Sequence, residues 1–304
     1  MKLPLQYHMF NWHRMTKYLT LFFVVGLVLM AVGYTHQKES NASADVGGLE
    51  VAAANVVHQD SRAIAPSGAV VNASSAISVE FTLDSKKILF EDHANKKLPI
   101  ASLTKLITAL IVLERYNLDE NIVIDSAAMA QVGDQGELVL GQNLSVKNLL
   151  YISLMESSNK SAYALAEVMG VNTFVEAMNQ RAAELGLHNT HFTDATGLNP
   201  NSYSTAEDVA ALSQYLYVHY PLFREIVGLQ MYRLYTPDGL FHHTVINTNE
   251  LLGQDNVVGG KTGFTREAQG CVMILQYNPE NNNYKVYVIL GAENRFLEVK
   301  KIMQ

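Results

Sequence analysis

The pattern of apolar and polar positions after residue 75 changes from strand to helix and back to strand. Ala76–Leu83 has the composition of a strand, Ile88–Phe90 predicts its partner, and the polar positions 84–87 between them predict a hairpin turn. Near the end of the sequence, apolar runs separated by turn-forming residues predict three more strands, at Val257–Thr265, Gly270–Tyr277 and Lys285–Leu290.

Between these two groups of strands, apolar residues recur at helical spacing. The clearest example is Leu103–Tyr116, where positions 106, 107, 110, 111 and 113 form a broad apolar face. Helices are also predicted at Val146–Glu156, Lys160–Met169, Thr173–Leu185, from Ser204 to about Tyr217, and from Asn294 onwards. The order predicts an α/β domain in which both ends share one antiparallel sheet and a helical region is inserted between them. The alternation that a doubly wound parallel sheet needs is missing.

The first 74 residues have a different character. Positions 18–37 contain no Lys, Arg, Asp or Glu, and Lys2, Arg14 and Lys17 precede them. This pattern predicts a signal-anchor helix with residues 1–17 in the cytoplasm and the rest of the chain outside. A buried core helix is the alternative, and Ala42–Ala44 leaves open a cleaved leader and a secreted protein. Residues 38–74 predict a flexible tether, and residues 75–304 a folded domain.

Composition narrows the function further. The hydrophobic share of 48% allows a sizeable core, and the net charge of −7 argues against nucleic-acid binding. Cys271 is the only cysteine, so no intramolecular disulfide can form. A buried apolar role is the usual one for such a residue.

Ser102-Leu103-Thr104-Lys105 carries the first candidate chemistry. A serine hydroxyl is a weak nucleophile until a base takes its proton, and residues i and i+3 share a helix face. Lys105 can therefore bring its amine to Ser102 at the start of the predicted helix. The motif alone is weak, because Ser157-Ser158-Asn159-Lys160 matches it as well.

Two further motifs follow in the sequence. Ser157-Ser158-Asn159 falls between two predicted helices, where a hydroxyl and an amide can face a cleft. Lys261-Thr262-Gly263 lies on a predicted strand after Gly259 and Gly260, and glycines let a substrate backbone approach a strand closely. Taken singly, a solvated serine pair and a surface lysine are the alternative interpretations.

In this order the three motifs resemble the S-x-x-K, S-x-N and K-T-G set of active-site serine penicillin-recognising enzymes. The chain is most similar to the low-molecular-mass D-alanyl-D-alanine carboxypeptidases, a resemblance that covers about Ala76 to Gln304. It implies a β-lactamase/transpeptidase-like fold. The stretches that carry it also include Pro99–Leu106, Asp194–Leu198, Ser204–Ala206, Asn247–Leu252 and Gly260–Thr265.

The resemblance implies a role for each motif residue. Ser102 would be the acylated nucleophile and Lys105 its base, while Ser157 and Asn159 relay protons and orient the substrate amide. Lys261 would assist protonation of the leaving D-alanine or bind the terminal carboxylate. The implied substrate-binding residues are Thr262, Gly263, Phe264, whose backbone N–H joins that of Ser102 in an oxyanion hole, and Arg295, the best match to a carboxylate-binding arginine.

The same resemblance implies peptidoglycan stem peptides as substrates, β-lactams as covalent inhibitors, and no cofactor. The sequence ends at Gln304, soon after the catalytic domain is expected to close, which is more like the endopeptidase members of the family. Carboxypeptidase and endopeptidase activity therefore both stay open.

Three other functions are alternatives to this one. A class A β-lactamase needs a glutamate in an E-x-x-L-N stretch, and Glu184–His188 lacks the asparagine. A zinc peptidase could use His188 with His191 or the pair His242-His243, but these lie in polar stretches typical of solvated surface, so no metal site is predicted. A non-catalytic protein that binds wall peptides or β-lactams is the third.

Overall fold

Strands from both ends of the domain meet in one antiparallel sheet, as the sequence predicts. The computed structural model describes residues 70–82 and 85–303, which belong to a unit that spans Ser61–Gln304. The five strands of this sheet are β1 (Ser75–Phe81), β2 (Lys86–Asp92), β9 (Val257–Thr265), β10 (Gln269–Asn278) and β11 (Asn283–Ala292). They lie in the order β2-β1-β11-β10-β9. The pairing of β1 with β11 therefore joins the first and the last strand of the domain.

The pairing of β1 with β11 runs from Ser75 opposite Leu290 to Phe81 opposite Tyr284. Because successive strand residues point to opposite faces, the sheet has two apolar faces. On one face, Ile77 and Val288 belong to the main core with the helices. On the other, Ile289 packs in a second, smaller cluster. The sheet is thus covered on both sides.

All the predicted helices are present in the predicted order, with small shifts at their ends, and two further helices, Ser126–Met129 and Pro221–Gly228, were not predicted. A 3₁₀ helix, Ala101–Thr104, leads directly into α1 (Lys105–Arg115). The others are α2 (Ser126–Met129), α3 (Val146–Met155), α4 (Asn159–Glu167), α5 (Val171–Glu184), α6 (Ala206–His219), α7 (Pro221–Gly228) and α8 (Arg295–Ile302). Helices α1–α7 contribute to the main core, whereas α8 packs in the second cluster.

Polar side chains fix where several of these helices begin. Ser145 and Asn148 form a reciprocal capping box at α3, and the Ser158 side chain accepts the N–H of Ser161 at α4. At α6 the cap is Thr205, which accepts the N–H of Asp208. The cap therefore lies one residue after the predicted one, Ser204.

Several short elements were not predicted. Two-residue strands β3 (Leu98–Pro99) and β6 (Tyr203–Ser204) pair with each other, as do β4 (Asn121–Val123) and β5 (Asn143–Ser145). The hairpin of β7 (Met231–Tyr235) and β8 (Phe241–Ile246) then leads from α7 towards β9. This hairpin packs on the end of α3, next to the serine motif at position 157.

The start of the packed domain lies slightly before Ser75. The N–H of Asn72 donates to Glu298 Oε2 at 2.7 Å, and the N–H of Ser74 donates to the Leu290 carbonyl at 2.9 Å. These last positions of the predicted tether are therefore bonded to the domain. The predicted membrane segment, 18–37, lies outside the described residues, and within 70–82 and 85–303 no helix is long and apolar enough to cross a membrane.

Gly197 allows a loop to pack tightly against the 3₁₀ helix. Its φ is +84°, and a Cβ at this position would lie 1.9 Å from the carbonyl oxygen of Ala101. Both the backbone conformation and the space thus require glycine. Ala101 itself has a φ of +48°, which places the residue before Ser102 in the sparsely populated left-handed region.

We expect Gly197→Ala to destabilise the domain far more than Gly239→Ala does. Gly239 has a similar φ of +82°, but a Cβ at this position would have no atom within 4 Å, so its substitution adds only backbone strain. Urea unfolding should give a loss of about 3 kcal/mol or more for Gly197→Ala and about 1 kcal/mol for Gly239→Ala. Equal losses would show that the close approach to Ala101 does not matter.

Candidate active site

The structure brings Lys105 to Ser102 at the junction of two helices. Ser102 lies in the 3₁₀ helix, and Lys105 is the first residue of α1. The Nζ atom of Lys105 lies 2.9 Å from Ser102 Oγ. Ser102 is partly exposed, whereas Lys105 is fully buried, so a substrate can reach the hydroxyl but not the amine.

Lys105 also bonds to two oxygens from other parts of the chain. Its Nζ donates to Asn159 Oδ1 at 2.7 Å and to the Thr196 carbonyl at 2.8 Å. Burial lowers the pKa of Lys105 to about 7, and the charge of Asp194 partly opposes this shift. A neutral amine has two N–H groups for the two carbonyl oxygens, which leaves its lone pair for the hydroxyl of Ser102.

The Thr196 carbonyl is held by a turn around Asp194. The Oδ1 atom of Asp194 accepts the N–H groups of Thr196 and Gly197, each at 2.6 Å, and its Oδ2 accepts the N–H of Asn199 at 3.0 Å. This is an Asx-type turn, in which a short carboxylate organises its own following backbone. No role for Asp194 was predicted from sequence, although the Asp-x-Thr-Gly pattern is typical of such a turn.

A second serine and lysine face each other across the site. Lys261 Nζ on β9 donates to Ser157 Oγ at 2.8 Å and to the Thr262 carbonyl at 2.8 Å. Burial lowers the pKa of Lys261 well below its usual value, and the positive charges of Lys105 and Arg295 lower it further. Ser157 has a φ of +65°, an uncommon conformation for a residue with a side chain.

Strand β9 lies directly beside the nucleophile. A Cβ on Gly263 would lie 2.9 Å from the backbone nitrogen of Ser102, so glycine is needed for this approach. The Thr262 Oγ1 atom is 2.6 Å from Thr248 Oγ1. The side chain of Phe264 is 62% exposed at the end of the strand.

Arg295, matched from sequence as a carboxylate-binding arginine, lies next to the same strand. Its Nη1 donates to the Gly263 carbonyl at 3.2 Å. Its Nε is buried and has no partner among the described residues. Burial lowers the pKa of this guanidinium from its usual value. All nine residues that the sequence singles out thus come from the 3₁₀ helix, α1, β9, the start of α8, and the α3–α4 connection with the first residue of α4.

The residues of the alternative functions are not among these nine. Glu184, the β-lactamase candidate, sits at the end of α5 and pairs with Arg181 at 3.1 Å. His188 and His191 are exposed. The prediction that the pair His242-His243 is solvated surface is wrong for His243. This side chain is only 4% exposed, and its Nε2 lies 3.1 Å from Glu156 Oε2. No group of three or more acidic, histidine or cysteine residues in the described part of the chain is arranged to hold a metal ion.

These contacts are of the kind that acyl transfer to a serine requires. A partly exposed hydroxyl bonds to a buried amine that titrates near neutral pH, which is the arrangement that activates a nucleophile. A second buried amine bonds to a second hydroxyl on the opposite side. Such strongly shifted amines are typical of functional sites.

Comparisons with known proteins agree with this chemistry. A family model described as D-alanyl-D-alanine carboxypeptidase matches residues 61–294. The D-alanyl-D-alanine endopeptidase of Escherichia coli is 32% identical over 246 residues, which cover 77% of this chain and 78% of that protein. The D-alanyl-D-alanine carboxypeptidase DacF of Bacillus subtilis is 30% identical, over 76% of this chain and 61% of that protein.

Solved structures match in the same way. The crystal structure of a Streptomyces DD-transpeptidase superimposes with a TM-score of 0.71 at 28% identity, covering 77% of this chain and 97% of the other. The crystal structure of a D-alanyl-D-alanine carboxypeptidase from Mycobacterium tuberculosis gives a TM-score of 0.70 at 26% identity, covering 78% and 93%. The predicted β-lactamase/transpeptidase-like fold is confirmed.

Proposed function

The chain belongs to the D-alanyl-D-alanine carboxypeptidase family of serine hydrolases, and from this premise we propose that Ser102 is its acylated nucleophile. The observation that carries the proposal is the 2.9 Å contact between Ser102 Oγ and the buried Nζ of Lys105. Because the pKa of Lys105 is lowered to about 7, a large fraction of this amine is unprotonated at neutral pH.

The reaction begins when Ser102 Oγ attacks the carbonyl carbon of the penultimate D-alanine. Its proton passes to the neutral Nζ of Lys105, and the carbonyl oxygen becomes an oxyanion between the backbone N–H groups of Ser102 and Phe264. The close approach of Gly263 to Ser102 N supports this pairing of N–H groups. The amide C–N bond then breaks.

The leaving nitrogen must gain a proton as that bond breaks. Ser157 bonds to Lys261, and this pair is well placed to deliver it. Thr262 and Arg295 bind the carboxylate of the terminal residue, and Asn159 both holds Lys105 and orients the substrate amide. Water then cleaves the ester to Ser102, which releases the shortened peptide and returns the hydroxyl.

We propose carboxypeptidase activity on peptidoglycan stem peptides as the main reaction. The match to the carboxypeptidase family model supports it. Endopeptidase activity on cross-links is the second candidate, because relatives at 32% identity from Escherichia coli and Pseudomonas aeruginosa are named D-alanyl-D-alanine endopeptidases. Both reactions use the same acyl-enzyme and differ in the leaving group.

Incubation of the full-length protein with a fluorescent penicillin tests the nucleophile. We expect a covalent label on the natural sequence and none on Ser102→Ala, whose peptide turnover should fall by at least ~10³-fold. A folded natural protein that takes no label would contradict the proposal and favour a non-catalytic binding protein. With natural enzyme that has not been treated with penicillin, release of D-alanine from a linear peptide is then compared with cleavage of a cross-linked peptide dimer, and faster cleavage of the dimer would make it an endopeptidase.

The rate of acylation should rise with pH through the titration of Lys105. The amine acts as a base only without its proton, so the rate increases between about pH 6 and 8, with its midpoint at the pKa of about 7. In Asn159→Asp a carboxylate replaces the amide oxygen next to Nζ, which should move the midpoint up by about one pH unit or more. Asn159→Gln adds no charge and is the control. A midpoint that is equal in all three proteins would exclude Lys105 as the base.

We also propose that residues 18–37 anchor the protein in the cytoplasmic membrane with the catalytic domain outside. The uncharged segment, the basic residues before it and the location of the wall substrate support this topology. Protease added to intact spheroplasts should degrade the domain, and Leu27→Lys should weaken membrane retention. Degradation only after the membrane is opened would contradict the proposal.

A further inference from the structure

A buried histidine and a glutamate lie directly behind the segment that carries Ser157. Glu156 follows the last residue of α3 and immediately precedes Ser157. Its Oε2 atom lies 3.1 Å from Nε2 of His243 on β8, and its Oε1 accepts the N–H of Ile246 at 3.3 Å. The side chains of both His243 and Glu156 are largely removed from solvent, at 4% and 14% exposed.

The contacts of this cluster lead to β8. His243 Nε2 contacts Glu156, and its Nδ1 contacts His242 Nδ1. Burial and the neighbouring His243 lower the pKa of His242, and the charge of Glu137 opposes this shift. The carboxyl group of Glu156 therefore has two partners on β8, the His243 ring and the Ile246 N–H.

The backbone conformation of Ser157 has to be held in place by neighbouring residues. Its φ of +65° is sparsely populated for a residue with a side chain, and such conformations persist only where the surrounding structure enforces them. On one side, Ser158 is fixed as the cap of α4. On the other side, the bonds of Glu156 and the bond from the Thr248 N–H to the Met155 carbonyl, 3.0 Å, tie the end of α3 to the β8 segment.

We propose that Glu156 and His243 form a clamp that positions Ser157 for proton transfer to the leaving group. This inference rests on the proposed function, because it assigns the clamp to the Ser157–Lys261 pair. The hydrogen bonds of the clamp lead to β8 and not to the Ser102–Lys105 pair or the atoms that bind substrate. Its loss should therefore lower kcat and the acylation rate, with little change in KM.

Two matched pairs of variants distinguish the effect of losing the hydrogen bonds from the effect of changing the packing. Glu156→Gln keeps an oxygen for the Ile246 N–H and places an NH2 group next to His243 Nε2, which can accept it in the matching tautomer, whereas Glu156→Ala removes both contacts. His243→Gln keeps an N–H near the position of Nε2, whereas His243→Leu fills the space without a donor. A small misplacement of a catalytic group costs much activity, so we expect the Ala and Leu variants to acylate at least ~10-fold more slowly and the Gln variants within ~3-fold of the natural protein.

Glu225→Ala is the structural control. Glu225 also bonds to α3, through the hydroxyl of Tyr151 at 2.5 Å, but this bond is remote from the Ser157 segment. We expect this variant to lose some thermal stability, yet to acylate within ~2-fold of the natural protein, because loss of this partly buried hydrogen bond alone does not move Ser157.

The outcomes are distinct. Fluorescent-penicillin acylation, kcat and KM for D-alanine release, and the melting temperature are measured on the full chain for all variants. If Glu156→Ala and His243→Leu acylate like the natural protein while Ser102→Ala stays unlabelled, the clamp is overturned and the proposed function stands. The clamp would also be overturned if Glu225→Ala lost acylation rate in proportion to its loss of melting temperature, as the clamp variants do. Reduced stability alone would then explain the slower acylation. If the natural protein takes no label, the proposed function fails and the clamp fails with it.

Discussion

The whole site depends on Lys105, a buried amine that pairs with no carboxylate among residues 70–82 and 85–303. Each of the three hydrogen-bond partners of Lys105 Nζ is an uncharged oxygen, from Ser102, Asn159 and the Thr196 carbonyl. A buried ammonium without a counter-ion is costly, and the group responds by releasing its proton. The 3₁₀ helix, α4 and the Asp194 turn must all meet at this atom. Together they exclude water from the side chain of Lys105.

The second buried amine makes the two sides of the site interdependent. The charge of Lys105 lowers the proton affinity of Lys261, so a proton on one amine disfavours a proton on the other. In the proposed mechanism, the proton that leaves Ser102 arrives on Lys105 at the moment when the leaving nitrogen needs one. The positive charge that Lys105 then carries favours release of a proton from Lys261. This proton can pass through the Ser157 hydroxyl to the leaving nitrogen.

Much of this could be predicted from sequence, where the information is local. Strand β9 has the predicted bounds because its apolar and glycine run is continuous, and the motifs at 102, 157 and 261 identify the side chains that the structure brings together. The β7–β8 hairpin was missed because His243 faces the core and hides the alternation of β8. Contacts such as Glu156 with His243 join residues 87 positions apart, and only tertiary folding brings them together. The role of Asp194 was missed for another reason: its bonds are local, but what they support lies on α1.

The pairing of β1 with β11 also has a consequence for biosynthesis. Ser74 contacts Gly291 across 217 positions of the chain, and β1 needs β11 for its second neighbour. While the ribosome is still making the helical region, β1 has only β2, and Ser102 has been translated without Lys261. The nascent chain therefore cannot acquire activity in stages. Contacts of such high sequence separation form late and slowly, so catalytic competence arrives in one step after the final strands emerge.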